Sequence, residues 1–301
     1  MFSRRHPYLF FLLIIASIFS VSLIGLSLIF FFAGKDSDYS GLNKSSGEKV
    51  GIIEINGVIN ESKDVLDKLK RLRADNSIKA IVVRINSPGG SVGPAQEIFR
   101  EIKKTALKKK IVASLGAVAA SGGYYVAAGT EGIIANPGTI TGSIGVVMGF
   151  TNFQELLQKI GLNPVVIKSG SYKDIGSPVR KMTEKERQIL QDLSDQIHRQ
   201  FISAIAEGRK MDLRKVESIA DGRIFSGEEA RKLGLVDRLG NLEDAVEWAG
   251  RMGGIKGKIK SVYIKDKRLP FLQYLTESAL NNIFNMVSKR YLYADFMMQP
   301  I

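Results

Sequence analysis

Apolar and polar positions divide this chain into a long apolar segment near its start and a much longer region of alternating patterns. The first segment runs from Tyr8 to Phe32 without a charged residue. It is long enough to cross a hydrocarbon layer about 30 Å thick as a helix. Two arginines precede it and two aspartates follow shortly after it, which predicts a cytoplasmic N-terminus. We therefore predict a cytoplasmic N-terminus over residues 1–7, a single transmembrane anchor over 8–32 and an extracytoplasmic remainder.

A cleaved signal peptide is the alternative interpretation of the same segment. Its apolar region usually has only about 7–15 residues and is followed by small residues at the cleavage site. Here the segment ends in Phe30-Phe31-Phe32-Ala33, which matches such a site poorly. Residues 33–48 are then polar and rich in serine and glycine, as in a flexible linker.

From residue 49 onward, short apolar runs alternate with segments of helical periodicity. The predicted strands are Val50–Ile55, Ile78–Ile85, Ile111–Leu115, Gly132–Ala135, Ile144–Met148, Pro164–Lys168 and Ile259–Lys265. The predicted helices are Lys63–Arg73, Pro94–Leu107, one that begins at Ser121, Phe153–Ile160 and Thr183–Glu207, the last with a capping box. Such alternation predicts an α/β fold with a mostly parallel sheet over residues 49–269, followed by a C-terminal tail over 270–301.

The composition excludes several kinds of function. The chain has 43 Lys and Arg against 30 Asp and Glu, with two histidines and no cysteine. A positive net charge favours proximity to anionic lipid, whereas no signature of nucleic-acid binding is present. The sequence has no H-E-x-x-H motif, no cysteine pair and no dense carboxylate cluster. We therefore expect neither a metal nor a cofactor.

The scarcity of histidine and cysteine leaves serine and lysine as candidates for nucleophile and base. Ser121 precedes two glycines at the start of a helical run, which suits an exposed hydroxyl near backbone N–H groups, although a serine there can also simply cap a helix. Lys173 lies in a loop after a predicted strand, where functional residues concentrate. As a base it must be neutral, so its pKa must fall from about 10.4 to about 7–8 in a desolvated pocket.

A second serine motif competes with Ser121. The run Gly89-Gly90-Ser91-Val92-Gly93 matches the G-x-S-x-G elbow of α/β-hydrolases, which also requires an acid and then a histidine downstream. His198 is the available candidate, and it lies in the middle of a predicted helix. We prefer a different use for Gly89 and Gly90, whose backbone N–H groups could stabilise an oxyanion. Ser143, in a glycine-rich turn, could orient a neutral lysine, although satisfying local backbone groups is the simpler role.

Five segments together resemble the signal peptide peptidase A, or protease IV, family in its short, single-repeat form. They are Asn86-Ser-Pro-Gly-Gly-Ser91, Ala119-Ala-Ser-Gly-Gly-Tyr-Tyr125, Ala135-Asn-Pro-Gly-Thr-Ile-Thr-Gly-Ser-Ile-Gly-Val146, Gly170-Ser-Tyr-Lys-Asp-Ile-Gly-Ser-Pro178 and Asp221-Gly-Arg-Ile-Phe-Ser-Gly227. The resemblance implies a Clp-protease/crotonase-like fold of repeated ββα units. It also implies a catalytic dyad of Ser121 and Lys173, with Ser143 positioning the lysine and the Gly89–Gly90 region lining the oxyanion hole.

The same resemblance implies a serine endopeptidase of the bacterial inner membrane that degrades cleaved signal peptides outside the cytoplasm. Short members of the family assemble their dyad between neighbouring protomers of a dome-shaped ring, an octamer. Two other functions are open at this point. One is acyl-CoA chemistry on a crotonase-type scaffold, for which coenzyme A is not expected outside the cytoplasm. The other is an inactive scaffold or membrane partner that binds peptides.

Overall fold

The computed structural model describes residues 7–35, 47–264 and 295–297 of this chain. Helix α1 covers Pro7–Lys35, although many of its side chains lie outside the described part. Over the residues that are described, no helix is found that combines the length and the apolar character needed to cross a membrane. The anchor over residues 8–32 therefore stays a prediction. Most of the predicted linker and of the tail over 270–301 lies outside the described residues.

The folded body contains ten short to medium strands and eight helices within the described ranges. The strands are β1 Lys49–Asn56, β2 Ile78–Ser87, β3 Gly89–Ser91, β4 Lys110–Ala120, β5 Gly132–Ala135, β6 Ile140–Gly142, β7 Ile224–Ser226, β8 Arg238–Leu239, β9 Lys260–Tyr263 and β10 Asp295–Met297. The helices are α2 Lys63–Ala74, α3 Val92–Ala106, α4 Gly122–Ala128, α5 Gln154–Lys159, α6 Glu184–Arg209, α7 Leu213–Glu217, α8 Gly227–Leu233 and α9 Leu242–Met252.

Eight of these strands form one sheet, in which β7, β6, β4, β2, β1 and β9 are neighbours in that order. Strand β5 joins it by pairing with β4 and with β8. Among the described pairs of this sheet, β6 with β7 is antiparallel and the others are parallel. The prediction of an α/β fold with a mostly parallel sheet is confirmed.

Helices cover both faces of the sheet, which explains why its central strands are almost continuously apolar. Helix α9 packs on one face, where its alanines and Val246 contact Val50, Val82 and neighbouring strand residues. Helices α2, α3 and α4 contact the strands too. The side chain of Leu72 in α2 fills the space above Gly51 of β1, where a Cβ would collide with it.

Strand β4 has two successive partners along one edge, and this arrangement places the candidate site. Its first half, Val112–Ser114, pairs with β5, and its end, Val118–Ala120, pairs with β6. A turn over residues 136–139 separates β5 from β6, and Thr139 Oγ1 anchors it by donating a hydrogen bond to the carbonyl of Gly116 (2.8 Å). The carboxyl ends of β4 and β6 therefore lie side by side.

Two predicted strands are wrong. Ile144–Met148 contains no strand of the sheet, since the pairing ends at Gly142 and the backbone turns at Ser143, which has a positive φ. Pro164–Lys168 is irregular, and Val165 and Ile167 are 85% and 96% exposed. Both runs have the β-branched composition of strands, but Ile144–Met148 forms no more than an isolated bridge at Val147 and Pro164–Lys168 forms none.

Leu72 should be among the residues on which the stability of the core depends. It is fully buried, and its replacement by alanine should lower the free energy of unfolding by about 2–5 kcal/mol because it leaves a cavity above Gly51. Leu107→Ala is the matched control, because Leu107 is 86% exposed and its loss should change stability by less than about 0.5 kcal/mol. Urea unfolding followed by circular dichroism measures both, and equal losses would contradict this account of the core.

Candidate active site

Ser121 lies on a sharp turn between strand β4 and helix α4. Its backbone has φ 53° and ψ −121°, a conformation that L-residues rarely adopt. The turn is held by two backbone hydrogen bonds, from Ser121 N–H to Gly142 O and from Tyr125 N–H to Ser121 O, both 2.8 Å. The Ser121 side chain makes no capping bond to the helix. The interpretation of this serine as an ordinary helix cap is therefore not supported.

Ser143 occupies the corresponding position one strand away. Residues Ala120 and Gly142 are register partners in the parallel pair of β4 and β6, and each serine follows its partnered residue directly. Ser143 also has a positive φ, 51°, and its N–H donates to the carbonyl of Arg223 (2.8 Å). The sheet thus brings Ser121 and Ser143 together at one edge.

Backbone strain is concentrated at this edge. Among the described residues, three non-glycine residues have positive φ: Ser121, Ser143 and Lys210. Lys210 is the left-handed C-cap of α6, a common way for a helix to end. The other two have no such explanation, and conformations of this kind persist mainly where function requires them.

The glycine-rich loop lies next to the Ser121 turn. A Cβ at Gly123 would lie 2.9 Å from the carbonyl oxygen of Ser87, so glycine permits the close approach of α4 to the end of β2. The N–H of Gly89 donates to Ser87 Oγ (3.1 Å). It is therefore engaged in the structure, and the assignment of the Gly89 and Gly90 backbone to an oxyanion hole stays a prediction. On either side of Gly90, the bonds Ile59 N–H to Gly89 O and Ser91 N–H to Ile59 O direct the N–H of Gly90 away from Ile59.

Sequence reasoning did not single out a further backbone donor beside Ser121, the N–H of Gly122. It belongs to the first turn of α4, whose N–H groups have no acceptor within the helix, and it follows the candidate nucleophile directly. The N-terminal end of a helix also carries partial positive charge that favours an anion. The signal was present in the sequence, since a glycine after a serine at a predicted helix start leaves the backbone accessible.

The competing serine motif does not have the geometry of a nucleophile elbow. Ser91 precedes α3 with φ −63° and ψ 137°, an unstrained extended conformation, whereas an elbow serine is strained. His198 lies in the middle of α6, and its Nε2 is buried without a hydrogen-bond partner among the described residues. The structure therefore favours Ser121 over Ser91.

Lys173 lies in a turn over residues 171–176 and is exposed in the single chain. Among the described residues it forms no hydrogen bond to Ser121 or Ser143.

The neighbouring Asp174 is bound by Arg180, which also binds Glu186 in the first turn of α6. At the opposite end of this helix of 26 residues, about 39 Å long, Gly208 packs against Ala128 of α4. The turn that carries Lys173 and the helix that follows Ser121 are thus fastened to opposite ends of α6.

Comparison with known proteins identifies the same region of the chain. The model of peptidase family S49 matches residues 103–256, and that of Clp protease matches residues 46–141. A Synechocystis protein named as a protease is 46% identical over 235 residues, which are 77% of this chain and 84% of that protein. An Enterococcus faecium protein named as signal peptide peptidase SppA is 34% identical over 244 residues, 76% of this chain and 70% of that one.

Among solved structures, a mutant of the 1510-N membrane-bound stomatin-specific protease matches with a TM-score of 0.50 at 17% identity, over 74% of this chain and all of that one. At this identity the likeness concerns the fold alone. It agrees with a Clp-protease-like domain of mixed α/β structure.

Replacement of Ser121 by glycine should separate strain from chemistry. Glycine adopts positive φ without penalty, so Ser121→Gly should raise the free energy of unfolding by about 1 kcal/mol while hydrolysis of peptides is lost. Lys210→Gly is the matched control, since it removes a positive φ at an ordinary C-cap and should leave hydrolysis unchanged. Urea unfolding and peptide hydrolysis measure the two effects. A destabilised Ser121→Gly would show that Ser121 is not strained as described.

Proposed function

Because the chain belongs to peptidase family S49, we propose that it is a membrane-anchored serine endopeptidase that degrades cleaved signal peptides. Family membership supports a serine peptidase, and the strained turn at Ser121 is the observation that carries the assignment of the nucleophile. We assign the general base to Lys173 and the orientation of its amine to Ser143. We also assign the sheet and its helices to the Clp-protease/crotonase-like arrangement of repeated ββα units.

The proposed reaction begins with attack of Ser121 Oγ on a peptide carbonyl carbon. Neutral Lys173 accepts the hydroxyl proton as the new C–O bond forms, and the carbonyl oxygen becomes an oxyanion. The N–H groups of Gly90 and Gly122 stabilise that charge, an effect worth about 3–4 kcal/mol for a donor in related sites. Lys173 then gives the proton to the leaving amine as the C–N bond breaks. Water hydrolyses the resulting acyl-enzyme with the same lysine as base.

An extended peptide as substrate is supported by the chain's own β10. Residues Asp295–Met297 pair antiparallel with Gly89–Ser91, and Phe296 is the partner of Gly90. Strand β10 also contacts α4. Since β3 accepts a strand of this chain, the same backbone groups can accept a substrate by strand addition. We expect a peptide bound in this way to present its scissile bond near the turn at Ser121.

Assembly with further copies of the chain is supported by the arm, which we define as residues 151–182. Hydrogen bonds join its two ends, from Phe153 N–H to Pro178 O (2.6 Å) and from Asn152 Nδ2 to Arg180 O (2.7 Å). Between them the arm exposes several large apolar side chains, namely Leu156, Ile160, Leu162, Val165, Val166 and Ile167. An exposed apolar surface of this kind marks an interaction site. We propose that a neighbouring copy covers it in a ring, an octamer, and that Lys173 on the arm serves the neighbour's Ser121.

The membrane and the compartment belong to the same proposal. Residues 8–32 anchor the chain in the bacterial inner membrane with the N-terminus in the cytoplasm, which places the catalytic domain outside it. Cleaved signal peptides are apolar and remain in that membrane, so an anchored peptidase meets them there.

A fluorophosphonate probe tests this activity against both alternatives. Neither an acyl-CoA enzyme of crotonase type nor an inactive peptide-binding scaffold would form a covalent adduct at Ser121.

A dyad shared between protomers predicts complementation between two inactive variants. Ser121→Ala and Lys173→Ala should each lose more than about 95% of peptide hydrolysis, since each removes one half of every dyad. If Lys173 serves a neighbour's serine, co-expressed variants that mix at random should regain about a quarter of the parental sites, where a Ser121 of one variant meets a Lys173 of the other. Hydrolysis by the mixed assembly measures the recovery.

The control for complementation is Lys181→Ala. Lys181 is an exposed residue of the same arm and its loss should leave hydrolysis close to the parental rate. A mixture of Ser121→Ala and Lys173→Ala that stays inactive, although mass measurement shows mixed assemblies, would place the dyad within one protomer. Full activity of Lys173→Ala alone would refute the dyad.

The arm predicts a second effect, on assembly. Ile167→Asp places a charge in the apolar surface that the neighbour is proposed to cover, so it should dissociate the assembly and abolish hydrolysis together. Leu107→Asp is the matched control, because Leu107 is also highly exposed, 86% against 96% for Ile167, but follows α3 instead of belonging to the arm. Mass photometry of detergent-solubilised protein measures assembly. An Ile167→Asp variant that remains assembled and active would refute the proposed interface.

A further inference from the structure

The turn that carries Lys173 is held by a cluster of charged side chains, which we call the Arg180 clamp: Lys168, Asp174, Arg180 and Glu186. Arg180 binds both oxygens of Asp174, through Nε (2.7 Å) and Nη2 (2.8 Å), and its Nη2 also donates to the backbone carbonyl of Asp174 (3.1 Å). Lys168 Nζ donates to Asp174 Oδ1 (2.6 Å) and to the carbonyl of Ser171 (2.9 Å). The turn is therefore bound at its backbone and at its acidic side chain.

The other side of the clamp is part of helix α6. Arg180 binds both carboxylate oxygens of Glu186, through Nη1 (2.8 Å) and Nη2. Glu186 is 3% exposed and completes the capping box of α6, since its Oε2 accepts the backbone N–H of Thr183 (2.9 Å). Hydrogen bonds from Arg180 and then from the Thr183 backbone lower the pKa of Glu186 to about 2. The guanidinium is thus fixed to the rigid first turn of a long helix.

This geometry differs from that of an ordinary surface ion pair, which contributes little. A guanidinium that binds two carboxylates with paired hydrogen bonds fixes their orientation as well as balancing their charge. The hydrogen bond from Arg180, followed by that from Lys168, holds the pKa of Asp174 far below its usual range. The clamp contains two cations and two anions, so its net charge is zero.

Asp174 is the residue next to Lys173, and its charge matters to a lysine that has to lose a proton. An unbalanced carboxylate nearby favours the ammonium form, whereas an unbalanced cation favours the neutral amine. Of the other charged groups of the arm, Lys181 and Glu155 form a long exposed pair at 4.0 Å, and Lys159 is an exposed cation of α5. We propose that Arg180 is a positioning residue for the general base, which fixes the Lys173 turn to α6 and cancels the charge of Asp174. This inference rests on the proposed role of Lys173 as base.

The test is the pH dependence of peptide hydrolysis by the full-length, assembled protein. In the parent, kcat/KM should rise with pH as Lys173 loses its proton. Arg180→Gln leaves the charge of Asp174 less balanced and should move this rise to higher pH. Asp174→Asn leaves the cations of Arg180 and Lys168 in excess and should move it to lower pH. We expect opposite shifts of about half a pH unit or more for charges within about 10 Å of the amine.

In the double variant Arg180→Gln/Asp174→Asn, the pH at which kcat/KM rises should return close to the parental value, because both charges are removed. Arg187→Gln is the matched control, because Arg187 is an exposed arginine of α6 that pairs loosely with Glu184, and the change should cause no shift. If the clamp were merely structural, Arg180→Gln and Asp174→Asn would lower the rate equally at every pH. Unchanged positions of the rise, or shifts in the same direction, would overturn the proposal.

Lys173→Ala separates this inference from the proposed function. If that variant is inactive while the two clamp variants fail to shift in opposite directions, the dyad stands and the clamp proposal is wrong. If Lys173→Ala retains hydrolysis, the dyad itself is wrong, and the clamp proposal falls with it. Should circular dichroism show that Arg180→Gln does not fold, Asp174→Asn decides, since a shift to lower pH supports the clamp and an unmoved rise overturns it.

Discussion

The parallel pairing of β6 with the end of β4 is the constraint on which the candidate site depends. It aligns Ala120 with Gly142, so that the two strands end together and the chain must turn at Ser121 and at Ser143. The hydrogen bond from Ser121 N–H to Gly142 O joins the two turns. The pairing spans only three residues of each strand, and β6 is held on its other side by pairing with β7 and by contact with α8. The strain at both serines is therefore sustained by the buried sheet behind them.

Helix α6 connects this region of the sheet to the turn that carries Lys173. Its C-terminal end lies against α4, where Gly208 allows contact with Ala128, and its N-terminal end holds the Arg180 clamp. A helix of this length acts as a rigid spacer between the turn at Ser121 and the turn that carries Lys173 in the same chain. If the spacer separates them, as the proposed ring requires, each chain contributes to two sites. The exposure of Lys173 in the single chain is consistent with such a shared site.

The sequence was sufficient for the parts of the fold that local pattern controls. The central strands are buried on both faces, so their apolar runs were unmistakable, and the capping box at Thr183 marked the start of α6 correctly. Ile144–Met148 and Pro164–Lys168 failed because composition indicates a strand but cannot supply its neighbour. Ser121 was proposed from the two glycines that follow it, the scarcity of histidine and cysteine and the family resemblance, and its catalytic role stays a prediction. The engagement of Gly89 N–H by Ser87 and the binding of Arg180 to Asp174 and Glu186 depend on the folded backbone, and no spacing rule predicts them.

Because Lys173 lies on an exposed arm, its use as a base would depend on assembly with a neighbouring copy. A solvated lysine amine is protonated at neutral pH, and a protonated amine cannot accept the proton of a serine. If a neighbouring copy supplies both the cover for the arm and the serine for Lys173, an unassembled chain has neither a desolvated base nor a complete site. The clamp removes only the adjacent charge of Asp174 and cannot remove water. Proteolysis would then begin only after assembly, and an unassembled chain would cut nothing.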